Sequence, residues 1–139
     1  MSVHTDYDVV TVGGGLGGLA LAKVLAEHEM RVPVLERERQ FVDRIRGEWI
    51  APWGVAEAQR IGIYHRLLER CAHEVPYFSP VGWGPARDLK ATTPQHVSPL
   101  TFLHPAMQEV VLDVAHNAGA EIWRGAAVRG IRPCQNASL

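Results

Sequence analysis

Cysteine is scarce in this chain. Cys71 and Cys134 are the only two among 139 residues, they stand 63 positions apart, and no CxxC pair exists. Such spacing excludes a disulfide framework and a cysteine-based zinc site, and the expectation is two free thiols in a reducing cytoplasm. Cys71 and His73 are too few for a metal centre, which takes three or four ligands. An excess of charge of either sign is also missing: 14 Lys and Arg face 15 Asp and Glu, for a net charge of −1 and a pI near 6.6. That balance gives no general attraction to nucleic acid or to anionic lipid. Long hydrophobic runs are absent as well. The longest, around Leu19–Ala26, is interrupted by Lys23 and falls short of the ~20 residues of a membrane span. The start, MSVHTDYD, is polar and acidic and does not read as a signal peptide. Without one, the sequon Asn136-Ala137-Ser138 is a chance match. No repeat or low-complexity tract is visible.

What the chain does have is apolar residue and glycine. Hydrophobic residues make up 47% and charged residues 21%, enough to bury the core of about one domain. Val9-Val10-Thr11-Val12 is a short β-branched run closed by glycines, the pattern of a buried parallel strand paired on both edges. Leu16–His28 reads as a helix and Val32–Glu36 as a second strand. Arg37–Pro52 reads as a charged loop, followed by short helices at Val55–Ile61 and Tyr64–Arg70. Residues 71–99 carry five prolines, so strands there are short or lie at an edge. Leu100–Leu103 is a candidate strand. Pro105 suits the first turn of a helix ending near Ala118, with Met107, Val110, Val111, Val114 and Ala115 on one face and Gly119 as its C′ residue. Ala120–Trp123 and Val128–Ile131 are further candidate strands. Trp49, Trp53, Trp83 and Trp123 are expected to have core or packing roles rather than to stack on a ligand.

The chemistry lies in Gly13-Gly14-Gly15-Leu16-Gly17-Gly18. GxGxxG alone is a weak signal in a chain with 13 glycines. Here it follows a strand and opens a helix, and an acid, Glu36, ends the next strand 18 residues after Gly18. Gly13 permits the tight turn. Gly15 lets the backbone approach a pyrophosphate, and Gly18 lets helix and strand pack closely. The free amides of Leu16, Gly17 and Gly18 at the helix start face the phosphates. The Glu36 carboxylate accepts from ribose hydroxyls and would repel a 2′-phosphate, which argues against NADP at this site. Arg37 follows it at the same strand end. No Gly-Lys-Ser/Thr is present, so this is not a P-loop. The motif by itself leaves FAD and NAD open.

The stretch DYDVVTVGGGLGGLALAKVLAEHEMRVPVLERE resembles the start of FAD-dependent monooxygenases of the para-hydroxybenzoate hydroxylase-like group. The resemblance continues through Asp43-Arg44-Ile45-Arg46-Gly47-Glu48, Pro52-Trp53-Gly54 and Arg60-Ile61-Gly62-Ile63. It resumes in the helix at 105–118, Gly119-Ala120 and Val128. It implies FAD as cofactor, NAD(P)H as transient reductant, and insertion of one oxygen atom into a small-molecule substrate. It also implies that an arginine after the second strand lies along the ribityl–pyrophosphate side. Arg46 matches best and Arg44 is its neighbour, the alternative being a solvated loop in which Arg44, Arg46 and Glu48 pair. A further contact at the start of the later helix would fall to His104, with Gln108 one turn on.

Three departures stand out. Glu29 occupies the position where the group usually closes the first helix with glycine. Pro33 sits in the second strand, where it removes a ladder donor. The family's later Gly-Asp motif and substrate-binding sheet are not found in these residues. The expectation is an α/β, Rossmann-like FAD/NAD(P)-binding fold with a partial doubly wound parallel sheet. Residues 1–139 would form the N-terminal part of an FAD-binding domain, with a βαβ unit at 1–36 and the start of a substrate-domain insertion at 71–103. This front portion of a truncated monooxygenase would be inactive by itself, with no catalytic acid or base. Alternatives are a fragment of an NAD-dependent dehydrogenase and a non-catalytic remnant.

Overall fold

The structure is a computed structural model and describes residues 6–44, 48–79 and 84–132. The elements run β1 (Thr11–Val12), α1 (Leu16–Glu27), β2 (Pro33–Glu36), β3 (Trp49–Ile50), α2 (Pro52–Arg60), α3 (Tyr64–Arg70), β4 (Ala72–Glu74), β5 (Tyr77–Phe78), β6 (Arg87–Asp88), α4 (Leu89–Thr92), β7 (Leu100–Phe102), α5 (His104–Asn117) and β8 (Glu121–Arg124).

A parallel sheet in the order β1-β2-β8 organises the site. Thr11 lies opposite Val34 and Val12 opposite Leu35, and β2 pairs in turn with β8 from Pro33 with Glu121 to Glu36 with Arg124. The expected βαβ unit is therefore formed. Pro33 is tolerated because it is the first residue of its strand, and the ladder enters through the Val32 carbonyl, which accepts from the Glu121 amide at 2.9 Å. Helices α1 and α5 pack on the sheet and on one another. Leu19 and Ala22 of α1, Val34 of β2 and Met107, Val111 and Ala115 of α5 are buried in one core. Lys23, the charge that interrupts the apolar run of α1, is buried too. Its ammonium donates to the carbonyl of Ile61 at the end of α2 and to Glu27, so the charge ties α1 to the α2–α3 turn.

A second sheet, antiparallel in the order β3-β7-β4, and a β5-β6 pair hold the proline-rich region. Its strands have two or three residues, as the prolines require.

Several expectations need correction. The segment expected to be only a charged loop contains β3, because Trp49 and Ile50 find partners in Thr101 and Leu100 of the distant β7. Val128–Ile131 forms no strand. The first strand is shorter than expected and, among the described residues, pairs on one edge only; Val10 and Val12 are 51% and 60% exposed rather than buried. Trp49, Trp53 and Trp123 are exposed at 42%, 64% and 47%, so they are not core residues, although Trp49 packs on Phe78 and Trp123 meets Tyr7 edge-on. Trp83 and Cys134 lie outside the described residues, and Cys71 is a free thiol whose titration is pushed up by burial. Glu29 does take the left-handed conformation of a helix-closing glycine, at φ 61°.

Candidate functional site

The glycine turn sits where β1 ends and α1 begins, and each glycine meets a different neighbourhood. Gly13 has φ +99°, a conformation that side chains rarely adopt, and its amide donates to the Leu35 carbonyl at 2.9 Å. A Cβ at Gly18 would lie 2.3 Å from the Gly13 carbonyl oxygen, so helix and turn touch there. A Cβ at Gly15 or Gly17 would meet no protein atom within 4 Å. Gly18 is thus a packing glycine, while Gly15 borders open space. Gly15 is the N-cap residue of α1; no side chain caps this end, and no acidic residue stands in its first turn. The helix-start amides at Leu16, Gly17 and Gly18 are left for an incoming acceptor.

Glu36 ends β2 beside this turn and is 7% exposed. One carboxylate oxygen accepts from the Gly14 amide at 2.5 Å and the other from the Glu38 amide at 2.7 Å. A carboxylate offers about four lone-pair sites, so acceptor capacity remains for a ribose. Gly14 is a contact that spacing did not single out. A Cβ there would come within 2.9 Å of Glu36 Oε2.

Two clefts flank Glu36. The first, of about 370 Å³, is lined by Gly15, Leu16, Glu36, Arg37, Glu38, Phe41, Val42, Arg44, His104 and Gln108. It brings together most of the residues singled out from sequence, although they come from three parts of the chain. Arg44 reaches it engaged: its Nη2 donates to Glu38 Oε1 at 2.6 Å, and Arg37 Nε stands 3.2 Å from the same oxygen. The Arg44 guanidinium holds the Glu38 carboxyl below its ordinary range. Glu48 does not pair with Arg44; its carboxylate accepts from the His104 amide at 3.3 Å. His104 Nδ1 is buried with no hydrogen-bond partner among the described residues. Arg46 and Gly47 lie outside the described residues.

The second cleft, of about 450 Å³, is lined by Val12, Gly13, Leu35, Glu36, Arg37, Ala126, Ala127, Val128 and Arg129. Its outer wall is the segment after β8, held in place by an Ala126 amide that donates to the Glu36 carbonyl at 2.9 Å. The two clefts share Glu36 and Arg37, with Gly15 on the first and Gly13 on the second. This is the shape an extended dinucleotide needs: a diphosphate at the turn and a ring to each side. The residues fit FAD on these observations: an open Gly15, an uncapped helix start and a buried acid beside it.

Phe41 and Val42 are cleft residues that sequence reasoning missed. The signal was an apolar pair inside a strongly charged loop. Arg124, at the end of β8, stacks over the Phe41 ring at 4.7 Å and donates to Glu109 of α5 at 2.5 Å, which fixes that wall.

Comparison with known proteins shows the family. Residues 6–136 match a family described as an FAD binding domain. Rifampicin monooxygenase of Streptomyces venezuelae is 34% identical over 131 residues, 91% of this chain and 26% of that protein. Squalene epoxidase 3 of Arabidopsis thaliana is 35% identical over 88 residues, 63% of this chain and 16% of that protein. Among solved structures, p-nitrophenol 4-monooxygenase PnpA from Pseudomonas putida DLL-E4 superposes with a TM-score of 0.72 at 26% identity, covering 88% of this chain and 33% of that one. Aklavinone-11 hydroxylase, solved with FAD and aklavinone, has a TM-score of 0.67 at 22% identity over 90% of this chain and 26% of that one. The chain thus spans between about a sixth and a third of the length of these relatives. With a Rossmann-like α/β fold and a match over nearly its whole length, the chain belongs to the FAD binding domain family.

Proposed function

We propose that this chain is the FAD-holding portion of an NAD(P)H-dependent monooxygenase acting on a small organic substrate. The observation that carries the reading is the junction of the two clefts at Glu36 and Arg37, with Gly15 on the first cleft and Gly13 on the second. The diphosphate lies on the amides of Leu16, Gly17 and Gly18. Glu36 holds the adenosine ribose, and the adenine occupies the apolar second cleft against Ala127 and Val128. The ribityl–pyrophosphate side runs through the first cleft past Arg37, Arg44 and His104, with Arg46 as a further contact. Bound FAD supplies hydride acceptance and oxygen activation; these residues bind and orient it and keep water from it. No residue here is assigned as a catalytic acid or base. Residues 71–103 form the beginning of a substrate-side layer. No described helix is long and apolar enough to cross a membrane; we take the cytoplasm, where NAD(P)H is at hand, as the compartment.

The rifampicin and p-nitrophenol enzymes support the monooxygenase part. The test is a chimera in which residues 6–132 replace the matching residues of rifampicin monooxygenase. It is expected to retain FAD and to place one atom of ¹⁸O₂ in its product when NAD(P)H is consumed. A folded chimera that binds NAD and no flavin would contradict the reading.

A further inference from the structure

We infer that Glu38 is an internal competitor for the FAD diphosphate, occupying Arg44 until the dinucleotide displaces it. The inference rests on the reading of the first cleft as the FAD site. Glu38, Arg37 and Arg44 all line that cleft together with Gly15 and Leu16. The Glu38 carboxylate stands 2.6 Å from Arg44 Nη2 and 3.2 Å from Arg37 Nε. A carboxylate between two guanidinium groups presents the same acceptors as a phosphate oxygen pair. Its place is set from the backbone, because the Glu38 amide is anchored on Glu36 Oε1 at 2.7 Å. The acid is thereby tied to the residue that reads the ribose.

The exchange is easy in energetic terms. The side chains of Glu38 and Arg44 are 36% and 38% exposed, and ion pairs this open contribute little. A diphosphate offers more charge and more acceptors, and it gains the helix-start amides as well. Glu38 therefore weakens the hold on any diphosphate ligand and leaves a ligand without phosphate unaffected.

The test is isothermal titration of the full chain at fixed ionic strength with FAD, ADP and adenosine as separate probes. Glu38→Gln should bind FAD and ADP about 1.5- to fivefold more tightly, the range of a weak exposed pair, with adenosine unchanged. In an Arg44→Ala background the same substitution should give no gain. Thermal melts of the variants control for folding. Equal or weaker binding of FAD and ADP by Glu38→Gln overturns the inference, as does a gain that survives the loss of Arg44. A parent chain that binds neither FAD nor ADP overturns the reading of the cleft and this inference with it. A parent that binds both, with no gain in Glu38→Gln, overturns the inference alone.

Discussion

The Gly14 amide donates to Glu36 Oε2 at 2.5 Å, across 22 positions of sequence. The bond joins the glycine turn to the acid at the end of the next strand, so the group that would read the ribose also shapes the loop that would hold the diphosphate. Glu36→Ala is expected to lose the ribose contacts and to leave the Gly14 and Glu38 amides without their acceptor. The loss in FAD affinity should be ~1.5–3 kcal/mol, the range of charge-assisted hydrogen bonds. Titration that finds parent-like affinity would remove Glu36 from the site.

Gly18 should behave differently. Its missing Cβ faces the Gly13 carbonyl at 2.3 Å, with Thr11 Cγ2 at 3.1 Å. Gly18→Ala forces the helix away from the turn and should destabilise the fold by about 1–3 kcal/mol, as overpacking does. Thermal unfolding of the ligand-free chain reads this directly. A variant as stable as the parent would mean that helix and turn are not in contact.

Glu29 closes α1 in the left-handed region, at φ 61°. Its amide donates to Ala26 and the Met30 amide to Leu25, the hydrogen-bond pattern of a glycine-terminated helix. The side chain is exposed and forms none of the hydrogen bonds or ion pairs described. Glu29→Gly relieves a backbone cost of ~1–2 kcal/mol against an entropic cost of roughly 0.5–1 kcal/mol for glycine. The expected outcome is a modest gain in thermal stability with FAD affinity unchanged. A lower melting temperature would contradict it.

The parts of the site legible in sequence were those fixed by local geometry. Gly13 and Gly18 have backbone duties that only glycine performs well, and Glu36 follows at the distance one helix and one strand require. Arg44 and His104 were reached through resemblance, and both do line the first cleft. What was hidden depends on pairing between distant segments. Trp49 and Ile50 become a strand only because β7, some fifty positions later, supplies its edge. Val128 looks like a strand residue because it is β-branched, yet it lies in a loop that walls the second cleft. Phe41 and Val42 gain their place from Arg124 of β8 stacking on the Phe41 ring. Aromatic bulk suggested a core or packing role for the tryptophans; the three described ones stand on the surface, where Trp49 packs on Phe78 and Trp123 on Tyr7.

The central claim is that the space beside Gly15 belongs to a dinucleotide diphosphate. Gly15 has φ −79° and ψ 173°, a conformation open to any residue, and a Cβ there would touch no protein atom within 4 Å. Gly15→Val therefore places its Cβ in open space on the ligand's side, at no more than the small cost of a poorer N-cap. The most direct measurement is titration of FAD into the parent chain and into Gly15→Val, with matched melting curves as the folding control. The account predicts FAD binding by the parent and none by the variant, at nearly equal ligand-free stability. Equal affinity of the two proteins for FAD would contradict it.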